Sequence, residues 1–151
     1  MDKRTRVLNA MNKKEVDHVP VGFWFHFGGE EAVGDACVQA HLKYYRETDL
    51  DFVKIMCDNY FPYPLPKIEK AEDWTTLEPL TADHPFIREQ VERAKAIVDD
   101  IGKERCVFYN VFAPFSSLRF GADAIGINDD QVMEYIRTDR TAVMKALDVI
   151  A

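Results

Sequence analysis

Two residues in this chain carry side chains of the right type, at the right kind of position, to do chemistry. Asp58 follows the apolar run Phe52–Cys57 (FVKIMC), and in an extended chain Phe52, Lys54, Met56 and Asp58 alternate onto one face, with Asp58 at its end. A carboxylate there can bind cationic N–H groups or stabilise positive charge; equally, it can open the following loop by accepting backbone N–H bonds. His26 ends a second apolar run, Val21–Phe27 (VGFWFHF), just before Gly28-Gly29. A histidine titrates near neutrality and can serve as acid, base or hydrogen-bond donor, or sit satisfied in a half-buried turn. Lys54 is out of place in its apolar run. An unpaired buried ammonium is costly, so it calls for a carboxylate, either Asp58 about 13 Å along the strand or one on a neighbouring strand.

The elements that must position these groups can be read from periodicity. Val7, Leu8 and Met11 recur at helical spacing, so residues 3–12 form a helix, and Asp17-His18-Val19-Pro20 a turn. Val21–Phe27 is apolar throughout, as expected of a strand buried on both faces of a parallel sheet. Residues 31–48 carry Val33, Ala36, Cys37, Ala40 and Tyr44 on one helical stripe. His41 in that helix reads as a surface or locally bonded residue. The second strand is 52–57, and the loop Asp58–Pro66, rich in proline and aromatics, can be neither helix nor central strand. A loop this apolar packs against something or lines a pocket. Residues 72–80 connect to a helix over 85–101, with Pro85 in its first turn and Gly102 beyond its end. Val107–Phe112 is a third strand, 115–120 a short helical or turn segment, and 129–137 and 139–150 two more helices. Alternating strands and helices imply a parallel sheet with right-handed crossovers.

The helix, the V-D-x-V-P turn at Val16–Pro20 and the first strand together resemble the opening of the uroporphyrinogen decarboxylase superfamily. Its members include the decarboxylase of haem biosynthesis and zinc-dependent methyltransferases that take a methyl group from a corrinoid. The resemblance covers essentially all of the chain. It implies an α/β fold, a partial (β/α)8 TIM barrel: the N-terminal half, with about three parallel strands and flanking helices. A closed barrel needs roughly 250 residues, whereas this chain has 151. Its last residues, ALDVIA, keep a helical period without a stop signal. A fragment or a truncated gene product is therefore expected, inactive alone, and either homo-oligomeric or paired with a second half.

In such barrels the reactive groups lie beyond the C-terminal ends of the strands, which singles out His26 with Gly28, Asp58 with Asn59 and Tyr60, and the stretch Pro114–Phe120. Asp58 resembles the family's pyrrole-binding aspartate. Ala113–Leu118 resembles its A-P-W-[ST]-x-x segment, making Phe115 and Ser116 a wall of the cleft. Arg119 would neutralise a substrate carboxylate or stand solvated at a helix start. The resemblance thus implies a tetrapyrrole-like small molecule or a corrinoid protein as partner. Two departures stand against simple decarboxylation. The decarboxylases' R-Q-A-G-R arginine pair is replaced here by Phe25-His26-Phe27-Gly28-Gly29, and the family's active-site tyrosine falls on Phe120. Each lost charge-assisted bond is worth roughly 1.5–3 kcal/mol, so no decarboxylation of uroporphyrinogen by this chain is expected. The methyltransferases' zinc ligands belong to the second half, so no metal or cofactor site is expected here; zinc or a corrinoid partner would belong to a longer protein.

Composition narrows the rest. With 47% hydrophobic residues the chain can bury a core. A formal charge of −7 argues against a general nucleic-acid or anionic-membrane binder. No apolar run approaches the ~20 residues of a membrane span, and MDKRTRVLNAMNKKE lacks the apolar core of a signal peptide. Cys37, Cys57 and Cys106 are odd in number and far apart, which signals neither disulfides nor zinc. Cys57 has no basic neighbour to make it reactive. A reducing cytoplasm is the expected location.

Overall fold

The computed structural model describes all 151 residues, Met1–Ala151, and they fall into two compact units: Met1–Asn59 with Arg88–Asn110, and Tyr60–Ile87 with Val111–Ala151.

The first unit is built on a two-stranded parallel sheet, β1 (Phe52–Ile55) and β2 (Cys106–Tyr109), paired from Phe52↔Cys106 to Ile55↔Tyr109. Helices α1 (Lys3–Met11), α2 (Gly34–Glu47) and α3 (Pro85–Ile101) accompany it, α3 entering this unit at Arg88. Asp2 caps α1 by accepting the Thr5 N–H at 2.8 Å. One face of the sheet, Val53 and Ile55, is fully buried with Val38, Leu42 and Tyr45 of α2 and Ile97 and Ile101 of α3. Its other face, Phe52, Lys54 and Phe108, is only partly covered.

The expected three-stranded half-barrel is not what forms: the chain is mostly helical, and a single two-stranded parallel sheet is its only sheet. Val21–Phe27 is the missing strand. It follows β1 closely at its start, where Asp51 N–H donates to the Val21 carbonyl at 2.9 Å, but it makes no ladder. The Tyr45 hydroxyl is the physical reason. It accepts the Lys54 N–H at 2.8 Å and stands 2.7 Å from the Lys54 carbonyl and 3.2 Å from that of Phe23. In a parallel ladder one residue's N–H and C=O pair with the same neighbouring strand. Here a phenol from α2 occupies the groups of Lys54 that such a neighbour would use. Phe23, Trp24 and Phe25 are accordingly exposed, not buried on both faces.

The second unit is helical: α4 (Pro114–Ala124), α5 (Asp129–Thr138) and α6 (Arg140–Ile150), with a 3₁₀ turn at Ala71–Thr76. Trp74, Leu118, Ala122, Val143 and Ala146 form its core. Asn128 and Gln131 cap α5 reciprocally, each side chain accepting the other's backbone N–H at 3.0 Å. The proline-rich loop docks on α4, as its apolarity suggested: Tyr63 is buried and its N–H donates to the Ser117 carbonyl at 3.2 Å. Gly121 permits this approach, since a Cβ there would overlap the Tyr63 carbonyl.

Several boundaries shift from expectation. Both strands stop short, at Ile55 and Tyr109; α2 begins at Gly34 after a 3₁₀ turn over Gly29–Ala32; and the short segment at 115–120 extends to a full helix, α4. No helix is long and apolar enough to cross a membrane.

Candidate functional site

The first unit brings His26 and Asp58 together. Nδ1 of His26 lies 2.7 Å from Oδ1 of Asp58, while Oδ2 accepts the Phe27 N–H at 3.3 Å. The carboxylate side chain is 12% exposed and the imidazole 67%. A carboxylate can only accept, so Nδ1 carries the proton and Nε2 is presented to solvent. A sheltered acid that orients an open imidazole is the arrangement of an acid–base pair.

The pair has neighbours along the same segment: Gly22 stands against Phe52 and Trp24 against Lys54, each thirty residues apart, whereas His26 and Asp58 are thirty-two apart and meet beyond the end of β1. The Phe52 ring lies where a Cβ of Gly22 would stand. The Lys54 ammonium sits 4.0 Å from the centre of the Trp24 ring, and His26 meets Asp58. The carboxylate expected for Lys54 is absent: neither Asp58 nor any other acid lies within ion-pair distance, and an indole takes its place.

Behind Asp58 is a polar cluster that the residue pattern alone did not single out. Arg93 of α3 is buried; it donates to the Tyr109 hydroxyl at 2.8 Å, to Cys37 Sγ at 3.4 Å and to the Asp58 carbonyl at 3.5 Å. The Tyr109 hydroxyl in turn donates to Gln90 at 2.9 Å. Burial pushes the Tyr109 phenol and the Cys37 thiol up, so both stay protonated although Arg93 opposes the shift. The signal was there to be read: Arg93, Ile97 and Ile101 stand at four-residue spacing on one stripe of α3, and a cation on an apolar stripe needs partners.

His41, expected at the surface or bonded locally, is fully buried and makes a local bond. Its Nδ1–H donates to the Cys37 carbonyl one turn back at 2.8 Å, and its ring packs on Phe27 with centroids 4.6 Å apart. Burial lowers its pKa, which keeps the ring neutral. Cys57 is buried and accepts from the Asn110 amide at 3.6 Å. No three His, Cys, Asp or Glu side chains converge to hold a metal, so the residues present do not fit a zinc centre.

The remaining candidates divide between the units. Gly28 is exposed and precedes the 3₁₀ turn; Asn59 is exposed with φ 64°, in the left-handed region that asparagine tolerates. In the second unit, Tyr60 is half-buried with its ring centre 6.3 Å from that of Phe86. Phe115 is partly exposed, Ser116 half-buried. Arg119, partly exposed, is paired within its own unit: it grips Asp129 with two hydrogen bonds, Nε to Oδ1 at 2.7 Å and a closer one to Oδ2. Its guanidinium also lies 6.0 Å from the Phe115 ring centre.

A second polar cluster lies before β1. Arg6 is bound to Asp17 (2.7 and 2.9 Å), to Asp51 (2.5 Å) and to the Met1 carbonyl (2.9 Å). Asp51 also accepts the Val21 N–H at 2.8 Å. A cleft of about 750 Å³ opens beside it, but Arg6 and Asp51 spend their hydrogen bonds on one another and on the backbone. This network ties the N-terminus to β1.

Comparison with protein-family models, with curated proteins and with solved structures returned no match.

Proposed function

We propose that this chain serves a uroporphyrinogen decarboxylase-like enzyme acting on a tetrapyrrole or a corrinoid-linked methyl substrate, with Asp58 and His26 as its reacting pair. The observation that carries the reading is the 2.7 Å contact between His26 Nδ1 and Asp58, two residues chosen from position alone and thirty-two apart in sequence. The substrate class rests on the resemblance of the V-D-x-V-P opening and the A-P segment. In this reading Asp58 holds the imidazole so that Nε2 takes or returns a proton on the ligand, and the imidazolium so formed keeps its counter-charge. Positioned proton transfer of this kind contributes about 10²–10⁴-fold to a rate. A pyrrole-type N–H entering the site can also compete for the Asp58 oxygens.

Binding tests the reading without requiring turnover. The chain is titrated with coproporphyrin III and with hydroxocobalamin, following the visible absorption of each probe. Saturable binding of one of them is expected, and Asp58→Ala should weaken it by roughly tenfold or more, the loss of one charge-assisted contact. A porphyrin preference favours the decarboxylase branch, a cobalamin preference the methyltransferase branch. Binding of neither probe, or equal binding by Asp58→Ala and His26→Ala, would overturn the assignment.

A further inference from the structure

The open face of the β1–β2 sheet carries a half-buried cation without an acid. Lys54 has the Trp24 ring at 4.0 Å as its partner, and that ring is itself 51% exposed. On one flank the Phe52 ring is fixed, seated against Gly22 and edge-on to Phe108 with centroids 5.4 Å apart. Phe108 is 37% exposed. The floor is therefore a packed aromatic surface with one positive charge set into it. A cation–π contact offsets part of the cost of desolvating an ammonium but leaves its charge uncancelled. What this surface lacks is an anion, delivered on something flat and apolar.

We infer that Lys54 and Trp24 form an anion subsite of the same site, holding a carboxylate of a planar, largely apolar ligand whose far end reaches His26 and Asp58. The inference rests on the functional reading above and adds to it the polarity of the ligand: an acidic edge on a flat, apolar body.

The test uses a matched pair of probes on the intact chain: the anion 1-anilinonaphthalene-8-sulfonate and its uncharged counterpart N-phenyl-1-naphthylamine, each followed by the rise of its own fluorescence on binding. Wild type should bind the anion more tightly. Lys54→Met should weaken the anion by roughly tenfold, the loss of one charge-assisted contact, and leave the uncharged probe unchanged; Lys54→Arg should restore the anion to within about threefold. If Lys54→Met does not fold, salt decides on the wild type: the anion's affinity must fall with ionic strength while that of the uncharged probe does not. Equal binding of both probes by Lys54→Met, or salt-independent anion binding, overturns the subsite. Asp58→Ala separates the two claims. If it abolishes porphyrin and cobalamin binding while the anion preference is insensitive to Lys54, the subsite fails alone; if the Lys54-dependent preference stands and neither pigment binds, the functional reading fails alone.

Discussion

Replacing Tyr45 by phenylalanine removes one oxygen and should unsettle the open edge of β1. That hydroxyl is 1% exposed as part of its residue, and burial pushes its pKa up to about 12 even though the Lys54 carbonyl bond pulls the other way. It is therefore a neutral phenol at any ordinary pH. It accepts from Lys54 N–H at 2.8 Å and donates to the Lys54 carbonyl at 2.7 Å. Tyr45→Phe leaves both backbone groups without a partner, at about 1–3 kcal/mol for each buried group. Because the Lys54 side chain is only half-buried, water can reach part of this edge, and about 2 kcal/mol in total is the expected loss. For a chain of this length that is roughly 4–8 °C in melting temperature. Amide hydrogen exchange localises it: the Lys54 N–H should exchange roughly 10–30-fold faster. An unchanged melting temperature, with Lys54 no faster than before, would refute the role given to the hydroxyl. A more stable variant with new protection across Gly22–Trp24 would show that this segment pairs with β1 once the phenol is gone.

Acid should unfold the first unit through Asp17. The Arg6 guanidinium holds its carboxyl well below the usual carboxylate range, so the folded form binds fewer protons. The stability it contributes is present above that value and drains away as the pH falls further; urea titrations from about pH 5 downward should show a steep acid limb that Asp17→Asn flattens. In the second unit, Leu118→Ala at a fully buried position should cost about 2–5 kcal/mol, read by urea unfolding, while the amide protection of Val53 and Ile55 stays unchanged.

The helices were legible because their signals are local. α3 runs from Pro85 to Ile101, as its leading proline, apolar stripe and trailing glycine indicate, and the Asn128–Gln131 cap opens α5 where the pattern begins. Two of the three expected strands formed and paired in parallel, though shorter than expected; the third did not, because a strand is made by its neighbours. VGFWFHF has the composition of a buried central strand, yet its pairing depends on what stands beside Lys54, and a tyrosine of α2 stands there. The local bond of His41 to the Cys37 carbonyl was among the expectations, but its burial was missed for a related reason. Its place on the helix is local information, but its burial comes from Phe27, fourteen residues earlier and brought close only by the fold.

The site divides along the same line. Side-chain alternation placed Asp58 at the end of an apolar strand; the strand stops at Ile55 and Asp58 stands in the turn that follows it, a placement that needed no partner. Lys54 did need one: a carboxylate was expected, and an aromatic face took its place. The choice between them follows from the offset of thirty residues that sets Gly22 against Phe52 and Trp24 against Lys54. Glycine at 22 is what admits the Phe52 ring, and a side chain there would push the segment off the sheet. The same displacement would lift Trp24 from Lys54. One bare Cα thus holds the aromatic floor and the cation in a single register, with the acid–base pair two residues out of that register beyond the end of β1. Gly22→Val is expected to lift Trp24 from Lys54, read as a change in Trp24 fluorescence, while leaving α2 and α3 packed on the opposite face.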